Sequence, residues 1–161
     1  MFYKSTDLYE PGTIIQKGHW GQWVQGIGTQ HKDYTLYREC LLEYVRKAEF
    51  PELPSRLTSA FVHATEIDAK RAPISSPHYQ EHIYQVKVLG NPCLQFSADM
   101  VWVGLMDGTL NTVDGVVDIV RRYWRGEKHN DPTKSIVEVL LDCDIVIIRR
   151  TSEIVENGLS A

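Results

Sequence analysis

The acid Glu138 stands in a stretch built almost wholly of apolar residues, SIVEVLLDCDIVIIRR, at residues 135–150. Alternation along this stretch predicts a β-strand with Ile136, Glu138 and Leu140 on one face. Burying a lone carboxylate is costly, so an acid in a central strand must reach water at a cleft or find a partner. A carboxylate fixed in this way can move a proton or stabilise a developing positive charge. The alternative is an edge strand whose acid faces solvent.

Asp99 interrupts a second apolar stretch, SADMVW, and is either another acid in the same cleft or a structural partner of Arg56. The six histidines lack metal-ligand spacing, so the sequence predicts no metal site. No phosphate-binding loop, dinucleotide-binding glycine pattern or zinc-protease motif is present. Ser59 is a possible nucleophile, but it lacks the G-x-S-x-G context of a hydrolase.

Aromatic and basic residues form two further candidate contact regions. Trp20 and Trp23 lie in a stretch that holds five glycines, and Arg122 and Trp124 lie in RRYWRGEKH. Flat rings and cations of this kind stack on and pair with anionic partners such as nucleic acid. The alternative for the second region is a solvated helix end, where arginines complement the negative end of the helix dipole.

Hydrophobic periodicity predicts an α+β fold with many strands and two main helices. We expect helices over residues 33–50 and 112–126, with the apolar stripe of the second including Trp124, and a loop or broken hairpin over residues 10–31. The expected stripe of the first helix consists of Leu36, Cys40, Leu41, Tyr44, Val45 and Ala48. The predicted strands lie within residues 1–6, 55–65, 81–89, 94–106 and 135–150.

The length, the net charge and the cysteines limit the number of domains, the class of partner and the cellular location that we expect. A chain of 161 residues suits a single domain, residues 1–161, and a net charge of −4 excludes a general nucleic-acid binder without a local basic patch. Cys40, Cys93 and Cys143 are odd in number and far apart, which favours reduced, buried thiols in a cytoplasmic protein. The sequence also lacks the apolar core of a signal peptide and any run of about 20 apolar residues, so no membrane contact is expected.

Three segments resemble the site elements of the ADP-ribosyltransferase superfamily. EVLLDCDIVII, from Glu138, resembles its catalytic-glutamate strand and the hairpin that follows. PSRLTSAFVHAT is similar to its serine-containing strand beside the nicotinamide pocket, and FYKST resembles its first strand. FPELPSRLTSAF is also similar to the F-P-x-x-P-S-R-L-x-S-x-F pattern of a bacterial branch, in which Lys4 stands where an arginine is usual.

This resemblance implies split antiparallel β-sheets with flanking helices, and NAD as the substrate, without a metal. Glu138 would be the catalytic residue, because cleavage of the nicotinamide–ribose bond passes through an oxocarbenium-like ribose that a carboxylate stabilises. Lys4 or Arg56 would meet the pyrophosphate. The residues that would surround NAD are Tyr3, Lys4, Ser5, Arg56, Ser59 and Phe61.

The resemblance also implies a bacterial or phage-defence toxin that transfers ADP-ribose to a macromolecule, with a cognate antitoxin as a possible partner. Trp20, Trp23, Arg122 and Trp124 would bind the acceptor. The basic stretches favour RNA or DNA narrowly over protein, while the acidic net charge counts against nucleic acid. Two alternatives stay open: an NAD glycohydrolase that uses water as the acceptor, and a non-catalytic binding module on the same fold.

Overall fold

The computed structural model describes residues 1–26, 33–73, 80–106 and 112–154. Its strands are β1 (Phe2–Ser5), β2 (Ile14–Ile15), β3 (Ala60–His63), β4 (Glu81–Leu89), β5 (Gln95–Asp99), β6 (Val137–Leu141) and β7 (Asp144–Ile154). The helices in the same ranges are α1 (His19–Gly26), α2 (Asp33–Glu49), α3 (Glu66–Arg71), α4 (Met100–Leu105) and α5 (Val113–Trp124). The predicted α+β class is therefore confirmed.

The strands form one antiparallel sheet in the order β2-β7-β4-β1-β3-β6-β5. β1 pairs with β4 along its whole length, but with β3 at a single register position, Phe2 opposite His63. β3 continues on its other side into a full ladder with β6, where His63 lies opposite Glu138. Backbone pairing between the two parts of the sheet, β2-β7-β4-β1 and β3-β6-β5, is thus limited to one pair of residues, beyond which β1 and β3 separate.

A hydrophobic core lies on each face of the sheet. One core packs α2, α4 and α5 against the sheet and contains Trp124 and Leu140. The other contains Tyr84, Val139 and Leu141 and extends along β7. Leu140 faces the first core and its neighbours Val139 and Leu141 face the second, so the predicted alternation along β6 is confirmed.

The loop or broken hairpin expected over residues 10–31 is confirmed for residues 10–18, which consist of turns and the short strand β2, and is wrong for residues 19–26. Residues 19–26 form the helix α1, in which Gly21 and Val24 are buried. Gly21 brings the helix against the backbone of Leu57, because a glycine without a Cβ permits an approach that a larger residue would block. Residues 27–31 of the expected loop lie outside the described residues.

The apolar stripe expected on α2 is displaced. The buried residues of this helix are Glu39, Leu42 and Val45. Glu39 turns inwards because its charge is paired with Arg56, so the face that carries this acid packs against the rest of the protein. The residues of the expected stripe that are exposed instead are Cys40, Tyr44 and Ala48.

The strand expected over residues 94–106 is a strand followed by a helix. Asp99 ends β5 and begins α4, because its side chain accepts a hydrogen bond from the backbone N–H of Val101 at 3.1 Å. None of the helices in the described ranges is both long enough and apolar enough to cross a membrane.

The prediction of reduced thiols is wrong for Cys93 and Cys143, and the prediction of burial is wrong for Cys40, whereas Cys143 is buried as predicted. Cys93 and Cys143 form a disulfide with a Cα–Cα distance of 5.8 Å, and Cys40 is an exposed free thiol. The disulfide joins the segment before β5 to the turn between β6 and β7.

The contact of α1 with Leu57 gives a test of the fold. A Cβ added at Gly21 would lie 2.0 Å from the Leu57 carbonyl oxygen, so we expect Gly21→Ala to lower the free energy of unfolding by about 1–3 kcal/mol, despite the better helix propensity of alanine. Urea denaturation measures this change. Gly26→Ala is the matched control, since a Cβ there meets no heavy atom within 4 Å. Equal stability of the two variants would contradict the packing of α1.

Candidate functional site

A cleft of about 490 Å³ opens where β1 and β3 diverge. Its walls include residues of β1, β2, α1, α2, β3, β4, α4 and β6 and of the segment before β3, which are brought together from distant parts of the chain. The residues named from the sequence that line this cleft are Tyr3, Lys4, Ser5, Trp20, Arg56, Ser59, Phe61 and Glu138.

Glu138 lies on β6 at the wall of this cleft and is only 3% exposed. Its Oε1 accepts a hydrogen bond from the Tyr123 hydroxyl at 2.8 Å and a second from Nη1 of Arg56. Glu138 therefore has a positively charged partner and also lies at a cleft, and either condition allows a carboxylate to occupy a central strand. Because both donors bind the same oxygen, the carboxylate is held in one orientation.

Arg56 is the buried cation that joins this cluster. Its Nε donates to Oε2 of Glu39 at 2.9 Å, and its Nη1 donates to the Tyr123 hydroxyl at 2.7 Å as well as to Glu138. The guanidinium also lies over the Phe61 ring, 4.9 Å from its centroid. The planar fork of arginine reaches two carboxylates and a phenol at once, which the single ammonium of lysine would not do with the same geometry. We call Glu39, Arg56, Tyr123 and Glu138 the Arg56 cluster.

Burial and the charges of the Arg56 cluster determine the protonation states of Glu39 and Tyr123. Burial alone would raise the pKa of Glu39, but the adjacent Arg56 guanidinium outweighs it and holds this pKa below its usual value. Burial, reinforced by the Glu138 carboxylate, raises the pKa of Tyr123 well above that of a free phenol. The Tyr123 hydroxyl therefore keeps its proton and donates it in a hydrogen bond at all ordinary pH values.

Lys4 lies at the opposite wall and is already paired. Its Nζ is 2.7 Å from Oε2 of Glu81 and donates to the Ala72 carbonyl oxygen at 2.7 Å. Both side chains of the ion pair are almost fully buried. The pair ties β1 to the start of β4 and places one positive and one negative charge on the same side of the cleft.

Ser59 supplies a polar atom that the fold leaves unused. Its side chain is 1% exposed and lines the cleft, and its Oγ has no hydrogen-bond partner among the described residues. Buried hydroxyl groups are nearly always hydrogen-bonded in proteins. A polar group of a bound molecule would satisfy this hydroxyl.

Asp99 lies outside the cleft and holds the backbone together. Its carboxylate accepts hydrogen bonds from the backbone N–H groups of Val101, His129 and Ile136 at 3.1, 2.9 and 3.0 Å. These bonds outweigh burial and lower the pKa of Asp99. The expected roles of a second cleft acid and of a partner for Arg56 are therefore both wrong.

The expected acceptor-binding residues separate into two groups. Trp20 lines the cleft and stacks on Trp23 at a centroid distance of 4.8 Å, with Trp23 41% exposed. Trp124, by contrast, is buried in the core, and its indole N–H donates to the Leu42 carbonyl at 2.9 Å. Arg122 is exposed on α5 and forms an ion pair with Asp118 at 2.9 Å. Trp124 cannot stack on a partner, and neither residue of this second group lines the cleft.

Several cleft features were not found from the sequence. Glu39 and Tyr123 complete the Arg56 cluster, and Arg38 and His63 line the cleft. Among the described residues, no group of three or more His, Cys, Asp or Glu side chains is placed to hold a metal ion. The charged side chains of the cleft are balanced in sign, with Lys4, Arg38 and Arg56 against Asp7, Glu81 and Glu138.

The Arg56 cluster predicts an acid-dependent loss of stability. Because Arg56 depresses the pKa of Glu39, the stabilisation from this pair is fully present above the unfolded-state pKa of about 4.3 and is lost as the pH falls through the lower folded-state pKa. We expect Glu39→Gln to lower the free energy of unfolding by about 1.5–3 kcal/mol at pH 7. It should also flatten the decline between about pH 5 and pH 3, as measured by urea denaturation.

Glu49→Gln provides the matched control for this measurement. Glu49 ends the same helix and is also paired with an arginine, Arg121, but on the exposed surface. Exposed ion pairs contribute little, so this variant should change the stability far less. Similar effects of the two substitutions would show that the cluster does not stabilise the fold in the way its geometry indicates.

Comparison with known protein families identifies one to which this chain is similar. The family described as "Protein of unknown function (DUF2441)" matches residues 16–157. No curated protein matches the chain. The matched range contains the whole Arg56 cluster and Ser59, whereas β1, with Tyr3 and Lys4, lies before it. Since the match covers most of the sequence, the chain belongs to the DUF2441 family.

Proposed function

We propose that this protein is an NAD-dependent ADP-ribosyltransferase whose active site is the cleft between β1 and β3. The observation that carries the proposal is the meeting of three distant segments in one cleft. FYKST supplies Tyr3 and Lys4, PSRLTS supplies Arg56 and Ser59, and the β6 strand supplies Glu138. These are the segments whose sequences resemble the three site elements of the ADP-ribosyltransferase superfamily.

The sheet supports the same proposal. Its two parts diverge beyond the single contact of Phe2 with His63, and the cleft lies at the divergence. A split antiparallel sheet with flanking helices is what the resemblance implies, and we assign the chain to that fold as part of the proposal. Pockets of this size are typical of small-molecule and cofactor sites.

Glu138 would act on the charge that develops during the reaction. When the bond between ribose C1′ and the nicotinamide nitrogen lengthens, positive charge spreads over C1′ and the ring oxygen. Tyr123 and Arg56 both bind Oε1 of Glu138, so Oε2 is left without a hydrogen bond from the described residues. That oxygen would face the ribose and stabilise the cation, and the rigid strand would keep the distance fixed.

Other side chains of the cleft would hold NAD in position. The unpartnered Ser59 hydroxyl would bind the carboxamide of the nicotinamide, and Phe61 or Tyr3 would contact its ring. Lys4, Arg38 and Arg56 each pair with a carboxylate, so the pyrophosphate would bind beside these ion pairs and share their cations. No step requires a metal ion.

The acceptor in this proposal is a macromolecule, with RNA or DNA narrowly preferred over protein. The supporting observation is the stacked pair of Trp20 and Trp23, which continues from the cleft to an exposed ring. Aromatic platforms of this kind stack on unpaired bases. A bacterial or phage-defence toxin with a cognate antitoxin is the biological role that this activity would serve.

Incubation with labelled NAD tests the function. We expect radiolabel from the adenylate part of NAD to enter a macromolecular fraction when cell RNA, DNA or protein is added, with release of free nicotinamide. Nuclease and protease digestion of the labelled fraction identifies the acceptor class. Free nicotinamide without labelled macromolecule would indicate an NAD glycohydrolase instead, and neither product would indicate a non-catalytic binding module.

Glu138→Gln tests the role of the charge. The amide keeps the shape of the side chain and removes the negative charge, so transfer should fall by at least about 10²-fold, or about 2.7 kcal/mol of transition-state stabilisation. NAD affinity, measured by calorimetry, should change far less. Glu43→Gln is the control, because Glu43 pairs with Arg46 outside the cleft. Full activity of a folded Glu138→Gln variant would remove Glu138 from the mechanism.

A further inference from the structure

His63 lies beside Glu138 at the wall of the same cleft. The two residues are opposite each other in the antiparallel pair of β3 and β6, so their side chains project from the same face of the sheet as immediate neighbours. His63 lines the cleft and is 8% exposed. It was not a candidate from the sequence, because a single histidine without metal-ligand spacing carries no signal of its own.

The hydrogen bond of His63 fixes its tautomer. Nδ1 lies 3.0 Å from the carbonyl oxygen of Val137. A carbonyl oxygen only accepts hydrogen bonds, so Nδ1 must carry the hydrogen, and in the neutral ring the lone pair is then on Nε2. The bond at Nδ1 is the one side-chain hydrogen bond that His63 forms with the described residues.

Three charged groups from three elements act on the His63 ring. Glu138 on β6 and Asp68 on α3 favour the imidazolium, and Lys4 on β1 disfavours it. Burial is the largest effect and also disfavours the charged ring, so the pKa of His63 lies below its ordinary value. At neutral pH the ring is therefore uncharged and can accept a proton.

Glu138 has another role while the nucleophile attacks. Its Oε1 is occupied by hydrogen bonds from Arg56 and Tyr123, and its Oε2 is the oxygen proposed to face the ribosyl cation. A proton on Glu138 would remove the charge on which stabilisation of the ribosyl cation depends. A second group that accepts the proton would leave Glu138 charged through the whole reaction.

We propose that His63 Nε2 is the general base for ADP-ribosyl transfer in this protein, an inference that rests on the proposed function. The bond between C1′ and the nicotinamide nitrogen breaks, and its electron pair leaves with nicotinamide. A nucleophile X–H forms the new bond from X to C1′, and its proton passes to Nε2 of His63, which later returns it to water. The hydrogen bond to Val137 holds the ring during this step.

This assignment defines the chemical class of the acceptor. A general base is useful only when the attacking atom carries a proton, as in a hydroxyl, an amide, an exocyclic amine or a thiol. Carboxylate and phosphate oxygens are already anionic near neutral pH and need no base. The acceptor atom is therefore a neutral X–H group, and acceptors such as a terminal phosphate or an acidic side chain are excluded.

Two small nucleophiles test the base directly. Methanol is a neutral O–H nucleophile, and azide is an anion that has no proton to lose. His63→Asn retains an N–H near the position of Nδ1 for the Val137 carbonyl but has no basic nitrogen. With NAD as the donor, we expect the variant to form methyl ADP-ribose on the order of 10²-fold more slowly, while the rate of ADP-ribosyl azide formation changes less than about 3-fold.

The pH dependence gives a second readout. In the wild-type protein, transfer to methanol should fall as the pH drops through the depressed pKa of His63, because the imidazolium cannot accept a proton. Transfer to azide should not show this decline, and His63→Asn should lack it for both nucleophiles. His129→Asn is the control, since His129 lies outside the cleft and its backbone N–H, not its ring, binds Asp99.

Each outcome of these measurements decides a specific point. If His63→Asn slows both nucleophiles equally, or neither, His63 is not the base, and the proposed transferase function still stands. If the wild-type protein releases no nicotinamide under any condition, the proposed function is wrong and this inference is wrong with it. Selective loss of the methanol product supports both.

Discussion

The buried Arg56 guanidinium is the interaction on which the rest of the site depends. It binds carboxylates from α2 and β6 and a phenol from α5, so one cation joins two helices and a central strand. An isolated buried charge would be strongly unfavourable, and so would each carboxylate without it. The group is stable only as a whole, which explains why an acid is tolerated on β6 among apolar neighbours.

The same cluster connects folding with the proposed chemistry. Oε1 of Glu138 is occupied by its two donors, and the residue lines the cleft. Tyr123 keeps its proton because burial and the neighbouring carboxylate oppose ionisation, so its orientation towards Glu138 does not change with pH. The site is therefore held in one arrangement before any ligand binds, and such preorganisation is what electrostatic stabilisation of a transition state requires.

The sequence revealed the parts of the site that depend on local pattern. Alternation placed Glu138 on the correct strand face, and short motifs indicated the segments around Tyr3 and Ser59. The pairings of the Arg56 cluster were not accessible, because Arg56 lies 17 residues from Glu39, 67 from Tyr123 and 82 from Glu138. Helical periodicity also treats a glutamate as a solvent-facing residue, so the inward position of Glu39 displaced the expected stripe of α2. Trp124 was predicted to bind the acceptor, but it is buried. Its place on the apolar stripe of α5 already indicated a core position rather than a contact surface.

The single register contact between β1 and β3 also bears on the main chain of the cleft. β1 is bound to β4 along its full length and β3 to β6, but beyond Phe2 and His63 the two strands form no ladder with each other. The two parts of the sheet are held together elsewhere by the second core, which contains Tyr84 of one part and Val139 of the other. The facing edges of β1 and β3 therefore present backbone N–H and C=O groups to the cleft. Contacts of a ligand with these groups do not depend on side-chain identity, so substitution of the lining side chains would leave them in place.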